Sequence, residues 1–242
     1  MTQPIQAFYW PTPNGHKITI ALEELALPYE IHAVNIGKGD QFKPEFLAIS
    51  PNNRMPAIVD PEGPDGQPIS IFESGAILQY LARKTGRLYG EGERGRTEID
   101  QWLHWQMGGL GPMSGQANHF RNYAPAITRD QRHLAYGAIR YSDEVHRLYG
   151  VLNKRLEGRE HIAGDFSIAD IAAWPWVTPW NALGIVMDEF PNIRTWYDRV
   201  AARPAVQRAL AKAEEVKRGP ALSEQNADAD AQRRVLFGQR AR

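Results

Sequence analysis

The chain has 242 residues, enough to bury one large core or two small ones. Its 28 basic and 28 acidic side chains cancel, so no basic footprint points to nucleic acid or to an anionic membrane surface. Cysteine is absent, which excludes disulfides, thiolate metal ligands and any cysteine nucleophile of the chain's own. Seven histidines lie scattered, without the H-E-x-x-H type of spacing, so no metal site is expected. The start Met1-Thr2-Gln3-Pro4 has neither a basic n-region nor an apolar h-region. No apolar run approaches the ~18 residues of a membrane span, so a soluble cytoplasmic protein is expected.

Strand and helix signals alternate first, as in α/β units. Ile5 to Trp10 reads as a strand that stops at Pro11 and Pro13. From Lys17 onward, Ile18, Ala21, Leu22 and Leu25 fall at helical spacing. The turn between them, Thr12-Pro13-Asn14-Gly15, holds a hydroxyl and an amide at a helix N-terminus, where orphan N–H groups and the helix dipole favour an anion. The same residue types also serve as plain helix caps.

Tyr29 to Asn35 reads as the second strand, followed by the polar loop Gly37-Lys38-Gly39-Asp40-Gln41-Phe42. Lys38 and Gln41 suit a carboxylate or peptide group, or plain solvation. After a short helical turn at Pro44 to Ile49 comes Ser50-Pro51-Asn52-Asn53-Arg54-Met55-Pro56, with a proline at the entry of the strand Ala57 to Asp60. A cis Met55–Pro56 bond would present the Met55 backbone to an extended peptide as an added strand would; a trans turn is the plain alternative. Ile69 to Phe72 is a further strand. Glu73 and Ser74 then open a helix that runs to Thr85, with Gly86 as its stop. Ser74 caps that helix, and the pair also offers a carboxylate receptor beside an ammonium receptor.

Composition shifts after Leu88 to a Gly- and charge-rich stretch and then to helical patterns with almost no strand signal. Helices are expected over Thr97 to Gly108, Gln131 to Glu157, Ser167 to Leu183, Asn192 to Ala202 and Ala205 to Val216. Ser167-Ile168-Ala169-Asp170 fits a capping box. The tail from Gly219 reads as loosely ordered, with Val235-Leu236-Phe237 as its one apolar cluster to dock back.

Taken in order, the segments Thr12 to Lys17, Ser50 to Pro56 and Phe72 to Ala76 resemble the glutathione site of the cytosolic glutathione transferase superfamily. Gln101 to Met113 and Ala172 to Trp176 are most similar to its Nu class, which is related to Ure2-like proteins. The resemblance implies an α/β plus all-α fold: a thioredoxin-like domain at residues 1–87, a linker at 88–96, an all-helical domain at 97–218 and a polar extension at 219–242. It implies a homodimer and a cis Met55–Pro56 bond. Glu73 and Ser74 would hold the γ-glutamyl end of glutathione and the Met55 backbone its cysteinyl part. Arg54, Gln41 and Lys38 would hold the glycyl carboxylate, with Asn53 also at the glutathione site.

Thr12 and Asn14 stand where the class places the pair beside the sulfur. A threonine hydroxyl cannot act as a base there; it donates a hydrogen bond that favours thiolate. Tyr9, at a strand position, reads as packing. The class is associated with glutathione-dependent disulfide reduction and with two glutathiones, or glutathione disulfide, per subunit. A cysteine-free chain suits that chemistry when both thiols come from the ligand. The alternatives are cleavage of lignin-derived β-aryl ethers or conjugation of another aromatic electrophile, and a non-catalytic glutathione-binding regulator. Walls of an acceptor pocket are expected from Gly108 to Tyr123, with Asn118, His119, Arg121 and Tyr123 as polar contacts and Tyr123 in a loop.

Overall fold

The computed structural model describes residues 3–128, 131–216 and 227–238. The chain divides into two compact units, Met1–Thr85 with Pro204–Arg242, and Gly86–Arg203.

The first unit is built on a four-stranded sheet of β1 (Ile5–Tyr9), β2 (Tyr29–Ala33), β3 (Ala57–Asp60) and β4 (Ile69–Phe72) in the order β2-β1-β3-β4. β1 pairs parallel with β2 and antiparallel with β3, and β4 closes antiparallel on β3. The parallel pair demands a crossover, which α1 (Pro13–Leu25) supplies. Alternation along β1 sends Ile5, Ala7 and Tyr9 into the core. Phe8, on the other side of the strand, packs with Val34, Phe46, Ala57, Ile49 and Met55. Phe46 comes from the single turn α2 (Pro44–Leu47).

α1 packs against α3 (Ser74–Thr85), each with an apolar stripe: Ile18, Ala21, Leu22 and Leu25 on one, Ile77, Leu78 and Leu81 on the other. α1 starts at Pro13, four residues before the predicted onset, because proline at the first helical position loses only an N–H that would be orphaned anyway. Asp60, at the end of β3, is tied to the Tyr80 hydroxyl at 2.7 Å and the Lys84 ammonium at 2.6 Å, which locks α3 to the sheet.

The second unit is all-helical: α4 (Gly92–Trp105), α5 (Gly111–Asn118), α6 (Gln131–Arg155), α7 (Ile168–Val177) and α8 (Pro191–Ala201). α7 is its centre, buried at Ile168 through Pro175 and again at Val177. The capping box is present, with Ser167 accepting from the helix and Asp170 reaching back to the Ser167 N–H. The sequence had suggested a helix from 167 to 183. It ends at Val177, with Thr178 still helical as its C-cap, because Pro179 has no N–H with which to continue the ladder. Two π-helical turns, Gln106–Leu110 and His119–Tyr123, bracket α5. Tyr123 therefore sits on a wide helical turn rather than in the predicted loop. π-turns of this kind break the 3.6-residue pattern on which the expectation rested.

Two C-terminal helices group with the first unit. α9 (Pro204–Glu215) packs on α1, with Arg208 paired to Glu23 at 2.6 Å. α10 (Ala227–Phe237) replaces part of the loosely ordered tail. Its Ala, Asp, Gln and Arg residues include strong helix formers, and Ala229 is fully buried. The Gln232 side chain lies against Gly37 and Val235 against Gly39, so the apolar cluster region does dock on the body. Among the described residues no helix is long and apolar enough to cross a membrane.

Candidate active site

Thr12 is the N-cap of α1, in extended geometry, and its hydroxyl oxygen accepts from the Gly15 N–H at 3.3 Å. The hydroxyl proton points to the Met55 thioether, with Oγ1 and Sδ 3.5 Å apart. Asn14, half-buried, is the second residue of the helix, after a proline that has no N–H to offer. Gly15 is buried, and a Cβ there would overlap the Trp10 carbonyl oxygen and come within 3.0 Å of the Met55 methyl. Only glycine lets the turn, the cap and Met55 close on one another. Tyr9 is buried in β1, and its hydroxyl meets His16 Nδ1 at 3.2 Å.

Met55 is brought here by a cis Met55–Pro56 bond. Upstream, the Ser50 hydroxyl donates to the Arg54 carbonyl at 2.8 Å, and Asn53 takes a left-handed φ of 49°. Asparagine tolerates that conformation better than most residues, which explains its place in the turn. Arg54 is exposed and Asn53 half-buried.

Glu73 joins β4 to α3 with a left-handed φ of 69°, and its carbonyl accepts from the Ile77 N–H. Its side chain is exposed, whereas Ser74, the first residue of α3, is buried. The Ser74 hydroxyl accepts from Lys17 Nζ at 3.4 Å. Lys17 is only 1% exposed, and burial pushes its pKa down to about 7 against the attraction of Glu73. The sequence reading passed over this lysine. Its signal was there: Lys17, Ala21 and Leu25 are four residues apart, so the lysine lies on the helix's buried stripe.

On the loop after β2, Lys38 is exposed while Gln41 is 2% exposed and donates to the Ile36 carbonyl at 3.2 Å. The Asn35 side chain accepts from the N–H groups of Gly37 and Lys38 and holds the loop in shape. Within the first unit, then, the turn at Thr12, the segment at Met55 and the α3 start at Ser74 converge on the first turns of α1.

In the second unit, Asn118, His119, Arg121 and Tyr123 lie at the end of α5 and on the following π-turn. Asn118 accepts from the Asn122 amide at 2.7 Å, and Arg121 reaches the Ser142 hydroxyl at 3.5 Å beside Gly184, where a Cβ would overlap its guanidinium. The His119 ring meets Phe120 and Tyr123 edge-on, and burial lowers its pKa.

A parallel–antiparallel sheet, a capped helix facing a cis-proline turn and a glutamate–serine pair at the next helix define a thioredoxin-like fold followed by a helical domain. Residues 12–84 match the family model for the N-terminal domain of glutathione S-transferases and residues 138–204 that for the C-terminal domain. The chain belongs to the glutathione transferase family.

It is 51% identical over 212 residues to the disulfide-bond oxidoreductase YfcG of Escherichia coli strain K12, covering 87% of this chain and 96% of that one. Among solved structures, a glutathione transferase from Pseudomonas putida with one glutathione disulfide bound per subunit matches at 44% identity and a TM-score of 0.79, covering 86% of this chain and 90% of that one. A Burkholderia graminis transferase with two glutathione molecules per subunit matches at 47% identity and a TM-score of 0.81, with 89% and 90% covered.

Proposed function

We propose that this protein is a glutathione-dependent disulfide-bond reductase in which Thr12 and Asn14 poise the sulfur of a bound glutathione. The observation that carries the reading is the Thr12 hydroxyl, aimed at a sulfur atom 3.5 Å away in a chain with no cysteine. A thioether is a weak acceptor and a thiolate a strong one, so a ligand thiolate outcompetes Met55 for that proton. Glutathione's thiol has a reference pKa of about 8.5, and lowering it by one unit takes only ~1.4 kcal/mol of differential stabilisation. One hydroxyl, one amide and a helix N-terminus supply that. The identity to a disulfide-bond oxidoreductase supports the same reaction class.

The rest of the tripeptide is assigned outward from the sulfur. The Met55 backbone pairs with the cysteinyl unit, and Glu73 and Ser74 take the γ-glutamyl ammonium and carboxylate. Arg54 and Lys38 attract the glycyl carboxylate, while Asn53 and Gln41 shape its walls. The proposed domain division is residues 1–87 for the thioredoxin-like domain, 88–96 for the linker, 97–218 for the helical domain and 219–242 for the polar extension. In the helical part Asn118, His119, Arg121 and Tyr123 are the acceptor contacts. The enzyme works as a cytoplasmic homodimer.

The chemistry balances without a protein thiol. The bound thiolate attacks one sulfur of the substrate disulfide, forms a mixed disulfide and releases the other half as thiolate. A second glutathione thiolate then attacks the glutathione sulfur of that mixed disulfide, giving glutathione disulfide and the second product thiol. The solved relatives with glutathione disulfide or two glutathiones bound support a site with room for both.

The test compares 2-hydroxyethyl disulfide with a β-aryl ether, each with glutathione. Turnover of the disulfide, lowered about 10- to 100-fold in Thr12→Ala, is expected. Preference for the ether, or tight glutathione binding with no turnover of either, rejects the reading.

A further inference from the structure

The proposed chemistry makes no use of α10, yet this helix lies on the loop that carries Lys38. Ala229, Gln232, Arg233 and Leu236 fall at i, i+3, i+4 and i+7 and form its covered face: Ala229 and Arg233 are buried, Gln232 and Leu236 half-buried. That face carries a glutamine and an arginine where a helix docked by apolar area alone would carry leucine or valine. Its fit to the loop is seen at Gly37. The φ of Gly37 lies outside the left-handed region, so φ does not call for glycine there. Space does: a Cβ at 37 would stand 2.7 to 2.9 Å from Gln232 Oε1, Cδ and Cγ. Gly39 does need its left-handed φ of 84°, and a Cβ there would meet Val235 Cγ1 at 3.6 Å. Lys38 stands between the two glycines, so α10 packs against the chain on both sides of it.

The loop's own hydrogen bonds run inward. The Asn35 side chain accepts from Gly37 and Lys38, and the Asp40 carboxylate accepts from the Asn35 N–H. They tie the loop to its base but leave its outer face to α10, and glycine is the residue with the most backbone freedom to lose. We propose that Gln232 and Val235 are positioning residues for the glycyl carboxylate of glutathione: by holding Gly37 and Gly39 they fix where Lys38 presents its charge. This rests on the reading that Lys38 attracts that carboxylate. A loop clamped before the ligand arrives loses no backbone entropy on binding, so the attraction appears in full as affinity. Once released, the Gly-Lys-Gly stretch must be ordered at each binding event, and ordering one residue's backbone weakens binding about tenfold. The clamp acts on the charge of the ligand's glycine and not on its sulfur. It therefore sets which thiols are held tightly rather than how fast they react.

The experiment is calorimetric titration of the full-length protein with glutathione and with its glycyl ethyl ester. The ester keeps the thiol, the γ-glutamyl end and both peptide bonds but has no glycyl charge. Wild type is expected to bind glutathione about tenfold more tightly than the ester. Gln232→Ala combined with Val235→Ala should bind glutathione about tenfold more weakly and the ester as wild type does, so the preference disappears. Gly37→Ala, which pushes the Gln232 side chain aside, should lose part of the preference. Adding Gln232→Ala to it should restore part, because the new methyl fills the room that the shortened side chain leaves. This second pair carries the test if the first folds poorly. A helix that only stabilises the fold weakens both ligands alike and leaves their ratio where it was. An unchanged ratio in Gln232→Ala with Val235→Ala overturns the proposal and leaves the glutathione site standing. Additive losses in Gly37→Ala and Gln232→Ala overturn it too, since the two residues then share no contact that matters. Equal affinity of wild type for both ligands overturns the assignment of the glycyl carboxylate to this loop. Binding of neither overturns the glutathione reading itself, and the proposal falls with either.

Discussion

Two helices of this molecule begin on a hydroxyl residue that accepts a backbone N–H, and they are finished in opposite ways. At α7, Ser167 accepts from Ala169, and the wholly buried Asp170 accepts from the N–H groups of Ile162 and Ser167 at 3.0 Å and from the Trp196 indole at 2.8 Å. Every oxygen there has donors from the chain itself. At α1, half-buried Thr12 accepts one N–H at 3.3 Å and gives its proton to a thioether. A cap completed by its own chain holds a fold together. A cap that spends its donor on so weak an acceptor can exchange it for a ligand at little cost.

That contrast can be broken or sharpened by substitutions at four positions. Asp170→Ala removes the acceptor of four buried donors, the N–H groups of Ile162 and Ser167, the Ser167 hydroxyl and the Trp196 indole, and should cost on the order of 3–5 kcal/mol in denaturant unfolding. A cost below about 1 kcal/mol would mean the α7 cap is no more essential than an ordinary one. Lys17→Met should stabilise the protein at pH 6 relative to pH 10, where the penalty of burying the ammonium has gone. The sign follows from the proton: the amine's pKa is about 7 when folded and 10.5 when free, so the unfolded chain binds more protons between those values. The penalty of burying Lys17 is therefore fully present below pH 7 and fades as pH rises toward 10.5, and the stability gap between variant and wild type should close over the same range.

Thr12→Ala should lower kcat/KM for disulfide reduction by about 10- to 100-fold, equivalent to about 1.4–2.7 kcal/mol, and raise the bound thiol's pKa by about one unit. Its loss of stability should be only about 1 kcal/mol, and Thr12→Ser should retain activity. An ultraviolet thiolate titration and a coupled assay read both. Ser167→Ala, last and smallest, should cost about 1 kcal/mol of stability and leave turnover unchanged, since it touches only the closed cap.

Much of the first unit was legible because its signals are local. β3 and β4 fall where the apolar runs begin and end, and α3 runs from its serine to the threonine before Gly86. The Ser167–Asp170 capping box was equally plain. What could not be read was set by distant packing. The place of Lys17 on the buried stripe of α1 is visible in its spacing, but its partner Ser74 is not until α3 is folded over it. The π-turns at Gln106–Leu110 and His119–Tyr123 follow no repeat that a helical or strand template detects. α10 is a polar helix that gains its order from contact with the Gly37–Gly39 loop, far away in sequence. The cis Met55–Pro56 bond lay between: the proline's position was visible, but its isomer came only from the family resemblance.

The Thr12–Met55 contact also makes the site observable by nuclear magnetic resonance. The chain contains five methionines, so methyl labelling gives a spectrum of five signals, with no cysteine to complicate redox handling. The Met55 methyl reports on a sulfur that competes directly with the ligand's for one hydroxyl proton. Its chemical shift should follow thiol ionisation as pH rises in the complex with reduced ligand and be independent of that ionisation with the oxidised ligand, turning a packing residue into a built-in indicator of the bound sulfur's charge.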